Sequence, residues 1–134
     1  MIYLLDTSVL SELAKPRANP NTVKSFTDHF QDVRVASVVI HEVRYGIERL
    51  PEGKRKHEVR SKMDQFLATI SVLAYDAAAG EWHASERVRL EALGRVPPVA
   101  DGMIAATAAV HGCTLVTANT RDFTAFQLAV ESWA

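Results

Sequence analysis

At 134 residues, 48% of them apolar, the chain is long enough for one domain with a real hydrophobic core. Its 15 Lys plus Arg nearly cancel its 16 Asp plus Glu, which excludes recognition of a nucleic acid by overall field and leaves that task to local patches. The lone cysteine, Cys113, excludes an intramolecular disulfide and suits a buried thiol in a reducing compartment. The N-terminus reaches Asp6 too soon for a signal peptide, and no apolar run is long enough to span a membrane, so a cytoplasmic protein with no membrane partner is expected.

Ile2 to Leu5 is a continuous apolar run ending in Asp6, the pattern of a strand buried on both faces of a parallel sheet. Ser8 to Ala14 reads as a helix stopped before Pro16, and Lys15 to Asn21, with its Pro and Asn residues, as a loop. Val23, Phe26 and Phe30 lie at helical spacing within Thr22 to Phe30. Val33 to Val35 predicts a second strand, followed by a helix carrying Val39, Val43, Ile47 and Leu50 up to Pro51. Glu42 rides on that helix.

Glu52 to Ile70 is highly charged, with Val59, Met63, Phe66, Leu67 and Ile70 forming one apolar stripe, as on a surface helix. Ser71 to Tyr75 predicts a further strand, and Asp76 is placed to cap a helix running to about Leu93, before the break at Gly94 to Pro98. An Ala-rich helix from Ala100 to His111, then Gly112, leads to the strand Thr114 to Thr117. Strands alternating with helices imply an α/β sandwich around a mostly parallel sheet.

In such sheets ligands bind beyond the carboxyl ends of the strands. Asp6 ends the first strand there. Asn119 and Asp122 follow the last predicted strand, and Asp101 begins a helix whose residues Ile104, Ala105 and Ala108 face the sheet. Carboxylates gathered in one pocket repel, so they either protonate or take a cation. Oxygen-only ligands suit Mg²⁺ or Mn²⁺, and an ion that activates a water while offsetting phosphate charge points to hydrolysis of a nucleic-acid backbone.

These residues carry a resemblance. Ile2-Tyr3-Leu4-Leu5-Asp6-Thr7-Ser8, Val39-Ile40-His41-Glu42-Val43-Arg44-Tyr45-Gly46, Asp101-Gly102-Met103-Ile104-Ala105-Ala106 and Leu115-Val116-Thr117-Ala118-Asn119-Thr120-Arg121-Asp122-Phe123 stand in the order of four motifs. In that order the chain resembles the PIN-domain family, VapC-like toxins of type II toxin–antitoxin systems above all. The resemblance implies a PIN-like three-layer sandwich with a short, mostly parallel central sheet flanked by helices, occupying residues 1–134 as a single domain. It also implies a Mg²⁺- or Mn²⁺-dependent endoribonuclease, with Asp6, Glu42 and Asp101 holding the metal, RNA as substrate, a VapB-like antitoxin protein as partner, and a homodimer. Asn119 departs from the pattern, standing where many relatives carry a fourth acid. Asn119 and Asp122 would then assist catalysis by bonding to the metal-holding acids or by positioning water.

Several residues have plainer readings. Thr7 and Ser8 can serve a ligand or their own backbone equally well. No pair of the five histidines has metal-ligand spacing, so none is assigned to catalysis. Lys54, Arg55, Lys56, His57, Arg60 and Lys62 form a dense basic run, better explained as a solvated helix face than as an RNA-tracking groove. Trp82, Val88 and Leu90 suit a core or a dimer interface, and Trp133 suits a sheet edge or a partner surface. Two rivals remain. A phosphatase of the haloacid dehalogenase kind needs a second Asp where Ser8 stands. A catalytically silent module would use the acidic rim to bind a basic antitoxin segment.

Overall fold

The computed structural model describes residues 1–134. Five parallel strands form one sheet: β1 (Ile2–Leu5), β2 (Val33–Ala36), β3 (Ser71–Leu73), β4 (Cys113–Val116) and β5 (Val130–Glu131), in the order β3-β2-β1-β4-β5. The sheet is wholly parallel, where the sequence implied mostly parallel. Its central strand is the one whose residues run apolar without alternation, because a strand with helices on both faces has no solvent side. Tyr3, Leu4 and Leu5 are buried, and so is all of β4.

Between the strands lie α1 (Thr7–Leu13), α2 (Pro20–Asp28), α3 (Ser37–Glu48), α4 (Lys54–Leu67), α5 (Ala77–Ala92) and α6 (Val99–Val110). The connections from β1 to β2 and from β2 to β3 step one way across the sheet, and the return from β3 to β4 steps the other. Right-handed crossovers therefore place α1 to α4 over one face and α5 with α6 over the other, which makes three layers. The packing agrees: α1 meets α2 and α3, α3 meets α4, and α5 lies along α6.

Local chemistry sets the helix ends. Asp6 caps α1 through Thr7 N, Asn19 caps α2 through Asn21 N and Thr22 N, and Asp76 caps α5 through Ala79 N. At the other end of α5, Gly94 takes φ +73°, and the following Arg95 N closes back onto Leu90 O at 2.8 Å. No helix is long and apolar enough to cross a membrane.

The expected elements are all present with ends moved by a residue or two, save in three places. Phe30 lies outside α2, in a 3₁₀ turn over Phe30–Asp32, and is 41% exposed. Its helical spacing from Phe26 brings the two rings edge to face across the helix end. The stretch Glu52 to Ile70 shortens to Lys54–Leu67, and Lys56, inside its basic run, is buried. The strand β5 was not expected at all. It joins β4 through Leu115 N to Ala129 O and Thr117 N to Glu131 O, and Trp133 just beyond it is buried against Tyr3 and His29.

Candidate active site

Asp6 leaves β1 at the carboxyl edge and is buried. Its Oδ1 accepts Thr7 N at 2.8 Å, and its Oδ2 accepts Ser8 Oγ at 3.1 Å and Thr117 Oγ1 at 2.8 Å. The register explains the last contact: Leu5 pairs with Val116, so the next residues of the two parallel strands, Asp6 and Thr117, emerge side by side. Ser8 Oγ in turn accepts Ala118 N at 3.1 Å, which ties the start of α1 to the end of β4. Ser8 thus serves both readings the sequence left open, bonding backbone and holding the acid.

Glu42, half-buried on α3, accepts Thr7 Oγ1 at 2.7 Å through Oε1. The hydroxyl of Thr7 therefore joins the helix after β1 to the helix after β2, and places the second carboxylate beside the first. Asp101 sits in the first turn of α6, partly buried, and its carboxylate accepts no hydrogen bond. A helix N-terminus favours an anion, yet here opposing effects win. Burial first, then the charges of Asp6, Asp122 and Glu42, raise its carboxyl from 3.8 to about 6.

The fourth segment behaves unevenly. Asn119 precedes a 3₁₀ turn over Thr120–Asp122, and Asp122 N donates to Asn119 O at 3.0 Å. The turn returns the Asp122 charge to Asp101. Asn119 is exposed and its side chain bonds nothing; besides the carbonyl that accepts Asp122 N, only its backbone N is engaged, donating to Thr117 Oγ1 at 3.0 Å. The fold thus brings Asp6, Glu42 and Asp122 within electrostatic reach of Asp101 and leaves the Asn119 amide aside.

No three carboxylates are drawn to the spacing of a ready-made metal cluster. The donor set nonetheless fits a hard cation. It is all oxygen, Asp6 is held in place by three donors, and Asp101 has no counter-charge while three acids raise its proton affinity. Repulsion alone keeps such groups apart, and a divalent cation is what would draw them together.

Two features escaped the sequence. Thr117, read only as the end of a strand, is one of the three donors that fix Asp6; its one signal was a hydroxyl at the strand's carboxyl end. His83, on α5, is buried with Nδ1 on Tyr75 Oη at 2.9 Å, and its ring lies so close to Gly102 that a Cβ there would overlap Nε2. Burial, then Arg87, lowers its proton affinity, and the ring packs beneath the turn that carries Asp101. Trp82 packs toward Phe126, Leu90 is buried and Val88 is exposed.

A parallel five-stranded sheet between two helical layers, with acids from four separate segments at its carboxyl edge, defines an α/β sandwich with an acidic rim. The chain belongs to the PIN domain family, whose pattern it matches over residues 3–127. It is 32% identical to Toxin FitB of Neisseria gonorrhoeae over 96% of both chains. It is likewise 32% identical to VapC ribonuclease Y4jK of Sinorhizobium fredii, over 96% of this chain and 95% of that one. Among solved structures, FitAB bound to the IR36 DNA fragment superposes with a TM-score of 0.91 at 32% identity, covering 99% of this chain and 96% of the other. VapBC2 of Rickettsia felis bound to a promoter DNA fragment gives 0.89 at 26% identity, with both chains fully covered.

Proposed function

We propose that residues 1–134 form one PIN domain that hydrolyses RNA phosphodiester bonds in the cytoplasm, as the toxin of a toxin–antitoxin pair whose antitoxin is a protein. The ribonuclease and toxin names of its relatives support this reading. The observation that carries it is the state of Asp101, a carboxyl raised to about 6 by burial and by three neighbouring acids at the open edge of the sheet. A site built this way is made for a cation and an anionic phosphate together.

Asp6, Glu42 and Asp101 would hold Mg²⁺ or Mn²⁺. Such an ion, when bound, acidifies water and offsets the negative charge of the attacked phosphate. The protein's own contribution is placement. Thr117, Ser8 and the Thr7 amide fix Asp6 before any ligand arrives, so binding costs no search through its rotamers. Thr7 does the same for Glu42. Asp122, carried on a short turn with a carboxylate that accepts no hydrogen bond, is the acid able to move and to orient a water, with Asn119 beside it on the rim. A second copy of the chain would cover Val88, Leu93 and Val96, exposed at the end of α5 and beyond it.

The test is cleavage of RNA by the purified protein with Mn²⁺ or Mg²⁺ and with excess chelator. Cutting confined to the metal-containing sample, and lost in Asp101→Asn, supports the reading. Cutting that survives chelation defeats it.

A further inference from the structure

Helix α5 carries a buried charge pair that none of the chemistry above uses. The Glu86 carboxylate is buried and takes the Arg89 guanidinium in a fork, Oε2 from Nε at 3.0 Å and Oε1 from Nη2. Two further bonds leave the helix: Gln127 N donates to Glu86 Oε1 at 2.9 Å, and Arg89 Nη2 donates to Ala125 O at 2.8 Å. Neither Ala125 O nor Gln127 N has a backbone partner, because residues 123–129 belong to no helix or strand. The pair stands in for the ladder bonds that this segment lacks. Arg89 first, then Gln127 N, hold the Glu86 carboxyl below its usual range against the opposing effect of burial.

That segment begins at the Asp122 turn. Phe123 N and Thr124 N both donate to Thr120 O at 3.1 Å, Thr124 Oγ1 donates to Arg121 O at 3.3 Å, and Phe126 N donates to Phe123 O at 3.1 Å. Residues 120–126 are therefore one bonded unit, and whatever fixes Ala125 also fixes Asp122. The Asp122 carboxylate accepts no hydrogen bond, so its place is inherited from the backbone of that unit. Phe123 and Phe126 are buried and press the unit onto the core, but apolar contact has no preferred direction. Hydrogen bonds from α5 supply one. A buried ion pair is a poor source of net stability, since apolar residues of similar volume often serve as well. A pair whose spare bonds all go to one irregular segment is explained by what it holds.

We infer that Glu86 and Arg89 are positioning residues for cleavage: they clasp Ala125 and Gln127 to α5 and so fix where the Asp122 carboxylate stands beside Asp101. The inference rests on the ribonuclease reading above and on the part given there to Asp122.

The experiment measures kcat and KM for RNA with Mn²⁺ in Glu86→Leu/Arg89→Met, which removes both charges at similar volume and leaves neither unpaired. The substitutions are made in wild type and again in Asp122→Asn. In wild type kcat should fall about tenfold with KM unchanged. Where Asp122 is already Asn, the same substitutions should cost less than about twofold, because the residue they position no longer works. Independently of catalysis, amide hydrogen exchange in the metal-free protein should quicken at Gln127 while Leu115 and Thr117, whose amides bond to Ala129 O and Glu131 O, stay protected. Glu86→Gln keeps an acceptor for Gln127 N and should show a smaller loss of the same pattern; it carries the test if melts find the double variant unfolded. Losses equal in the two backgrounds make the pair a general brace and overturn the inference. Undiminished kcat, or exchange that stays slow at Gln127, overturns it as well. An Asp122→Asn protein that cuts like wild type does the same while the ribonuclease reading stands. If wild type cuts no RNA with any metal, that reading fails and takes this inference with it.

Discussion

Replacing Asp101 with Asn should make the metal-free protein more stable at neutral pH. The Asp101 carboxyl is raised from 3.8 to about 6, so ionising it at pH 7 is harder in the folded chain than in the unfolded one. At full weight that displacement is worth about 3 kcal/mol. The group is only partly buried, and solvent screening brings the figure to about 1 kcal/mol. For an acid whose folded value is raised, the stabilising contribution is complete below about 3.8 and is lost as pH climbs through about 6. Wild type thus loses this contribution between about pH 4 and pH 7, and an amide does not. Acids with lowered values, such as Glu86 held by Arg89, lose their contributions in the opposite direction, but they are common to both proteins and cancel in the difference. Calorimetric melts in chelator should show Asp101→Asn about 4 °C above wild type at pH 7.5 and level with it near pH 4. Added Mn²⁺ should then raise wild type alone. A variant that melts at or below wild type at both pH values would mark Asp101 as an ordinary helix-start charge and undo the electrostatic case for the site.

Asp6→Asn should do the reverse, lowering stability by about 1 kcal/mol, because a carboxylate accepting Thr7 N, Ser8 Oγ and Thr117 Oγ1 is exchanged for a neutral amide; a gain like that of Asp101→Asn in the same melts would refute the bonding described. Thr117→Val removes the donor to Asp6 and the acceptor of Asn119 N, and cleavage should fall about tenfold in a single-turnover assay; full activity would deny Thr117 a positioning role. Asp122→Asn should weaken cleavage strongly and Asn119→Ala only slightly, since only the former charge reaches Asp101; the opposite ranking in one RNA assay would make Asn119 the working group. Gly102→Ala forces a methyl group onto the His83 ring and should cost about 2 kcal/mol in denaturant titration, much of it recovered by adding His83→Ala; an undisturbed midpoint would show that α5 and α6 part freely.

Most of the architecture is legible in the sequence because each central strand is buried on both faces, and the unbroken apolar run at Ile2 and the nearly apolar one at Cys113 allow few other readings. Asp6 and Asp101 were legible for the same reason: each is a charge at the lip of an element that otherwise shows only apolar groups to the core. Thr117 was not, because its partner is fixed by the pairing of Leu5 with Val116, and interstrand register leaves no mark on either strand alone. The strand β5 was invisible because two residues cannot display an alternation; its hydrogen bonds to β4 define it. Phe30 misled because its spacing outlives the helix: a ring two residues past the end still packs on Phe26. The basic run concealed its buried member because Lys56 is held by a carbonyl and a carboxylate that only the turn between α3 and α4 brings to it.

The contrast between Asp6 and Asp101 bears on how the site switches. Asp6 has its hydrogen bonds before any ligand comes, whereas Asp101 has none and is opposed by three charges. A cation therefore gains little from creating order at Asp6 and much from relieving repulsion at Asp101, so most of the dependence of binding on pH should follow the Asp101 proton. Below about pH 6 that proton and the cation compete for one carboxylate, and acid should weaken the affinity for Mn²⁺ by up to tenfold per pH unit, with the slope flattening above pH 6. The same logic gives a cationic side chain from another protein a route to inhibition: an arginine or lysine delivered to Asp101 would supply the missing counter-charge and remove the reason for the metal to bind there.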